Sequence, residues 1–502
     1  MTLQIIWFKR DLRLEDHAPL VAAGMRDRVL PLFVVEPEYW RQPDVSARQW
    51  GFWRACIEDL SRAIDARSGS LIVRVGEVVP ILEQLHATHG PFTLRAHQET
   101  GNDWTFARDR AVRRWCKANR IQFEEYRQFG VLRRAAVNRD KWSTAWDRMM
   151  ETPIQPVPEL LMWQGSASDP LPSASELGLP DDNLAQLPTA GREAALEALN
   201  SFLHERGEHY TRQMSSPING ENACSRLSWH IAYGTISMRE VTQAAWARYR
   251  DLPPFEKAWR QALRSFIARL HWHCHFIQKL ESEPQAEWLP VAKIYEGLRP
   301  RPADAERLAA WSEGRTGYPF IDAAMRYLNA NGWINFRMRA MLMSFASYDL
   351  WLPWQESGLA LARKFIDYEP GIHWPQCQMQ AGETGINTIR IYSPVKQGYD
   401  QDPDGAFIRR WVPELAQVPK AHLHEPWKLS DDERALLCPD YPPRIVEHAA
   451  AAKAAKDAIY GLRRKPEARA EAQAVVQKHG SRKRTADWKR WGAQNAQLKL
   501  GL

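Results

Sequence analysis

The chain has 502 residues, 44% hydrophobic and 25% charged, which is the composition of a globular protein of about three domains. Its six cysteines are scattered with no CxxC pair, and no apolar run is long enough to span a bilayer; this argues against zinc or iron–sulfur centres and against a membrane protein. The net charge of +7 favours a polyanionic partner or plain solubility.

The N-terminus lacks the long apolar run of a signal peptide, so a cytoplasmic protein is expected. Short β-branched and aromatic runs at 3–8, 28–35, 71–75 and 92–96 alternate with helix-compatible segments such as 46–64 and 80–88. That alternation predicts a Rossmann-like α/β domain with a parallel sheet over residues 1–130. Such sheets bind ligands beyond the carboxyl ends of their strands, where Lys9-Arg10-Asp11-Leu12-Arg13 falls. By spacing alone this cluster is a solvated loop. No GxGxxG follows the first strand, so a dinucleotide site of that kind is not supported.

Residues 131–195 read as an interdomain connector, with prolines punctuating a Ser/Asp/Gly-rich run. An all-α domain is predicted over 196–448, and a basic helix and tail over 449–502.

Within the helical part, Cys224-Ser225-Arg226-Leu227-Ser228 puts small polar residues at a helix start, with Tyr210 upstream. Read alone, Ser-x-x-Ser is a helix cap; the same chemistry also makes an anion site. His271, His273, Cys274 and His275 crowd one helix without a matching carboxylate motif, so polar-network histidines are expected and no metal. From 317 to 394 the apolar residues recur at helical spacing, but Arg, Asp and Trp keep interrupting them. Charges in an apolar core are costly unless paired or bonded to a ligand, so this stretch reads as a wall around something polar and flat.

Over residues 3 to about 420 the chain resembles the photolyase/cryptochrome family. The resemblance rests on Trp7-Phe8-Lys9-Arg10-Asp11-Leu12-Arg13-Leu14, the run from Gly317 to Arg326, Gly332-Trp333, Arg337-x-Arg339, Asp367-x-Glu369, Arg390-x-x-x-Pro394 and Asp402 to Leu415. It implies a buried FAD, whose pyrophosphate is gripped by Cys224, Ser225, Arg226, Leu227 and Ser228 with Tyr210. Cys224 stands where Thr is usual. It implies that Arg339 and Asp367 pair beside the isoalloxazine, that Glu369 lies near the flavin or ribose, and that His373 falls where a residue faces flavin N5. A cation such as Arg339 near N1/O2 of the flavin favours the anionic reduced form.

The resemblance further implies that Trp272 stacks on a flipped pyrimidine and that Trp333 lies near the substrate cavity. Arg337, Lys396, Arg409 and Arg410 would meet DNA phosphates. Several positions depart from the family pattern. Arg269 stands where Glu is usual, His273 where Arg is, Phe336 where Asn is and Ala340 where Met is. Cys377 and Met379 fall where two Trp usually stand, the first of which begins the chain that re-reduces the flavin. Trp354 matches its middle member, and Trp374, Trp351, Tyr368 or Trp311 offer another route.

The implied function is light-driven repair of pyrimidine dimers, of cyclobutane type, in UV-damaged DNA by a monomeric DNA photolyase. A folate or deazaflavin antenna is a possible second chromophore. The alternatives are a cryptochrome-like blue-light sensor that repairs nothing, and a nucleotide- or nucleic-acid-binding module without photochemistry.

Overall fold

The computed structural model describes residues 2–24, 28–133, 138–159, 161–182 and 184–480; the end of the basic tail, 481–502, lies outside them. Six strands form one sheet: β1 (Leu3–Phe8), β2 (Arg28–Val35), β3 (Ile72–Val75), β4 (Phe92–His97), β5 (Gln122–Tyr126) and β6 (Met162–Trp163). The order is β3-β2-β1-β4-β5, with β6 added beside β2, and every pairing is parallel.

The expected parallel α/β domain is therefore present. Its sheet is buried on both faces, as parallel sheets are. Leu3, Ile5 and Trp7 of β1 pack against Val78, Ile81, Leu82 and Leu85 on one side. Ile6 and Phe8 face the other side, where helix Ala47–Asp65 contributes Trp50, Phe52, Trp53 and Cys56.

Two strands escape the sequence pattern. β5 is an edge strand whose Gln-Phe-Glu-Glu-Tyr alternation is only half-buried. β6 is two residues long and lies inside the expected connector, where Gln164 N–H also donates to the Val29 carbonyl at 2.7 Å. The same segment holds helix Arg139–Glu151, which buries Trp142, Trp146 and Met150 in a core of the helical part.

From 192 onward the described chain is helical, as expected. Five helices matter for the site: α1 (Lys257–Ser282), α2 (Pro319–Asn331), α3 (Phe336–Ser344), α4 (Trp354–Ala362) and α5 (Pro370–Ala381). Asn335 caps α3 by accepting from Met338 N–H, and its own amide donates to the Ser216 carbonyl at 2.8 Å. α1 and α5 approach closely at Gly371, where an added Cβ would lie 2.8 Å from Ile277 Cα. No helix among the described residues is long and apolar enough to cross a membrane.

Candidate active site

α1, α3, α4 and α5, together with the segment Cys224–Ala232, enclose a cavity of about 270 Å³. Phe365, Leu361, Met343, Ala340 and Ile372 make its apolar walls, and Arg339, Asp367, Glu369, His373 and Gln376 its polar ones. Eight of the sequence-predicted residues meet here: Cys224, Ser228, His273, Trp333, Arg339, Asp367, Glu369 and His373.

Arg339 and Asp367 pair at 2.8 Å, and Arg339 Nε also donates to the Ile334 carbonyl at 2.8 Å. The guanidinium lies 4.1 Å over the Phe365 ring. The second oxygen of Asp367 has no partner, nor has Oε1 of Glu369 or Oε1 of Gln376, and all three are buried. Each such atom costs roughly 1–3 kcal/mol if left unsatisfied. A cavity lined by residues with such acceptors, beside a cation, suits a flat, polar-edged ligand with N–H and hydroxyl donors.

His373 Nε2 lies 2.8 Å from the Gly358 carbonyl. A carbonyl only accepts, so Nε2 carries the proton and Nδ1 is left as an acceptor. Burial pushes His373 down to about 4, so the ring is neutral at pH 7. His273, which lines the same cavity, is also pushed down to about 4 by burial. Glu369 moves the other way: burial lifts it to about 7, against the pull of the Arg10 guanidinium.

The loop before the cavity is held by a residue with no sequence motif. Arg206 donates to the carbonyls of Asn222, Cys224 and Ser225, and to that of Ala198. Arg226 adopts a left-handed φ of 62°, and its guanidinium is sandwiched 4.8 Å from Trp229 and 4.0 Å from Trp333. Leu227 is buried in the core. Tyr210 is buried behind the loop, 5.6 Å from Phe202 and 6.4 Å from Phe266, off the cavity wall.

Arg269 and Trp272 also stand off that wall. They pair on α1, with the guanidinium 4.5 Å over the indole. His271 meets Ser143 Oγ at 3.2 Å, and His275 Nδ1 accepts from Arg139 at 3.2 Å, as polar-network histidines do.

Trp354 is fully buried and donates to Glu383 at 3.0 Å. Its ring lies 6.0 Å from Trp374, which lies 4.9 Å from His373 and 6.4 Å from Trp288. Of the cations expected at DNA, Lys396 pairs with Asp400 at 2.7 Å, Arg409 donates to the Val418 carbonyl at 2.8 Å, and Arg410 lies 5.4 Å over Trp411. Arg337 is half-buried with an unpartnered Nε, beside Phe336, which is 51% exposed on the cavity rim.

Among the described residues, Asp11, His17 and His97 are the one cluster compact enough to suggest a metal. Each ring nitrogen donates to Asp11 Oδ2, at 2.9 and 2.8 Å, and Asp11 Oδ1 accepts from Lys9 N–H at 2.6 Å. The cluster satisfies itself and pins the turn after β1.

The crevice at the carboxyl ends of β1 and β2 is filled. Arg108 binds Glu36, Glu99 and Asp109 at 3.0, 2.5 and 2.9 Å, and lies 4.9 Å over Trp7. About 20 Å³ is left between them, so this crevice does not fit the ring system of the folate or deazaflavin suggested by resemblance.

Residues 266–461 match the FAD-binding domain of DNA photolyase, and residues 4–144 match the DNA photolyase family model. A deoxyribodipyrimidine photo-lyase of Streptomyces griseus is 30% identical over 471 residues, covering 90% of this chain and 98% of its relative. The chain belongs to the photolyase/cryptochrome family. It is similar also to cryptochrome-2 of Arabidopsis thaliana, at 28% identity over 84% of this chain and 72% of that one. A crystal structure of a class III photolyase from Agrobacterium tumefaciens shares its fold, with a TM-score of 0.79 at 24% identity over 93% of this chain and 98% of that one. Membership makes this an FAD-binding protein whose closest functional options are photorepair and photosensing.

Proposed function

We propose that the protein is a DNA photolyase, a monomeric cytoplasmic flavoprotein that splits pyrimidine dimers of the cyclobutane type in UV-damaged DNA, with FAD in the cavity of Arg339, Asp367 and Glu369. The observation that carries this reading is that three residues lining one cavity, Asp367, Glu369 and Gln376, each keep a buried oxygen without a partner, beside the Arg339 cation. When bound, FAD supplies the light absorption and the transferable electron.

The chain's own residues do the rest. Arg339 places a cation, and Asp367, Glu369 and Gln376 place acceptors, around the ring system. His373 is a neutral acceptor there. Arg206 fixes Cys224 and Ser225, and with Arg226, Leu227, Ser228 and Tyr210 this segment forms the pyrophosphate end of the site. His273 completes the lining. Trp272 and Trp333 offer ring faces to an extruded base, and Arg269 stabilises the negative charge that develops on it. Arg337, Lys396, Arg409 and Arg410 hold phosphates, which position DNA without reading its sequence. Trp374 lies on the path by which an electron reaches the cavity, with Trp354 as a buried side branch 6.0 Å from it.

The domains serve this division of labour: 1–130 buttresses the site, 131–195 ties the halves together, 196–448 holds FAD and DNA, and the described part of the basic C-terminal segment, 449–480, adds a helical flank. The flavin is the absorber at this site, and the crevice at Arg108 leaves little free space for a second chromophore there.

Blue-light sensing without repair is favoured by one observation, the half-exposed Phe336 at the cavity mouth, where the family pattern has Asn. Light-dependent loss of dimers from UV-irradiated DNA, assayed with the reduced protein, tests repair against sensing.

A further inference from the structure

The turn after β1 is the one motif that neither the cavity nor the DNA face absorbs, and its contacts run across to the helical part. Arg10 Nη2 donates to the Tyr368 carbonyl at 2.7 Å, and Nη1 lies 3.5 Å from Glu369 Oε2. The guanidinium is buried between Trp53 and Tyr233, 5.8 and 5.2 Å from their ring centres. Its backbone is fixed as firmly: the Arg10 carbonyl accepts from Gln128 at 2.7 Å, and Leu12 N–H donates to the Tyr233 carbonyl at 3.2 Å. Gly234, at φ +72°, passes so close that an added Cβ would lie 2.3 Å from the Arg10 oxygen. Glu369, which lines the cavity, thus has one oxygen beside Arg10 and a second that is buried without a side-chain partner, and the Gly371 N–H also donates to this carboxylate.

We propose that Arg10 is a positioning residue for the FAD site: it holds Glu369 in one orientation and biases it toward the carboxylate, so that the N-terminal domain sets the charge at the cavity wall. This rests on the reading that the cavity holds FAD. Burial lifts Glu369 to about 7, and Arg10 is the cation that opposes the lift. Glu99 adds to it, and the other charged and titratable neighbours are Asp367 with its partner Arg339, Cys274, His273 and His373. Both histidines are held near about 4, so neither titrates between pH 6 and 9.

The test is a pH titration of the holoprotein, following the absorption and fluorescence of oxidised FAD. The wild type is expected to show a transition with a midpoint near neutrality that Glu369→Gln abolishes. Arg10→Gln moves the midpoint up by about one pH unit or more, roughly tenfold in proton affinity. Arg10→Lys keeps the charge but cannot reach Tyr368 and Glu369 together, so its midpoint falls between the two. A midpoint unmoved in Arg10→Gln overturns the proposal; should that variant not fold, an unmoved midpoint in Arg10→Lys does so. Ala340→Trp fills the cavity and separates the two claims. Retention of FAD by that variant refutes the cavity reading, whereas loss of FAD there with unmoved midpoints in the Arg10 variants refutes only the role of Arg10.

Discussion

Trp374 lies 4.9 Å from His373 on the cavity wall and 6.4 Å from Trp288, ring centre to ring centre. Trp288 is 45% exposed, so two rings join the cavity to solvent. Replacing either Trp374 or Trp288 by Phe is expected to slow light-driven reduction of bound FAD by about an order of magnitude while leaving FAD content unchanged. Trp354→Phe should do less, because Trp354 is fully buried and ends in a hydrogen bond to Glu383. Flavin absorbance under blue light with a thiol donor reads the rates. Equal rates in the wild type and both Phe variants would exclude this route.

Arg339→Ala removes the partner of Asp367 and leaves a buried carboxylate with both oxygens unpaired. About 2 kcal/mol of stability should go with it. FAD should leave the variant on gel filtration, and the melting temperature of the apoprotein should also fall. Arg206→Ala should release FAD as well, by freeing the carbonyls of residues 222, 224 and 225. FAD retained by both variants would place it elsewhere.

His373 is held at about 4, below the ordinary value of 6.5, because burial disfavours its charged form. The unfolded chain therefore binds more protons than the folded one between those values. The stability from the neutral ring is fully present above about pH 6.5, declines as pH falls, and is lost by about pH 4, where about 3 kcal/mol has gone. His97 and His230, each lowered to about 3, add slopes of the same sign. Urea unfolding between pH 4 and 7 should show this decline, and His373→Gln should flatten it by one proton's worth. An unchanged slope in that variant would contradict the assignment.

Arg269 carries its charge 4.5 Å over Trp272, outside the cavity. In the role proposed for it, beside the base that Trp272 stacks on, Arg269→Ala should lower the yield of repair per absorbed photon more than it lowers affinity for damaged DNA. Parallel loss of both would reduce Arg269 to a phosphate contact.

Much of the site was legible because its residues come in short ordered motifs. Arg339, Asp367, Glu369 and His373 stand within 35 residues and converge on one cavity, and the β1 run announces a buried strand. What stayed hidden depends on chain-distant partners. Arg10 reaches a carbonyl 358 positions away, and nothing near it in sequence marks that contact. Arg206 bonds backbone oxygens, which carry no residue code. Trp288 gains a meaning only from where Trp374 lies. β6 is too short for periodicity to register. The filled crevice at Arg108 also could not be read in advance, since Glu36, Glu99 and Asp109 come from three separate segments.

The most direct measurement is repair of UV-irradiated DNA by the FAD-reduced protein, single- and double-stranded, with and without blue light. The account predicts loss of cyclobutane dimers in the light only, and no loss in a variant that cannot retain FAD, such as Arg339→Ala. Bound, photoreducible FAD with no light-dependent loss of any dimer would contradict it, and would assign the cavity to a sensor.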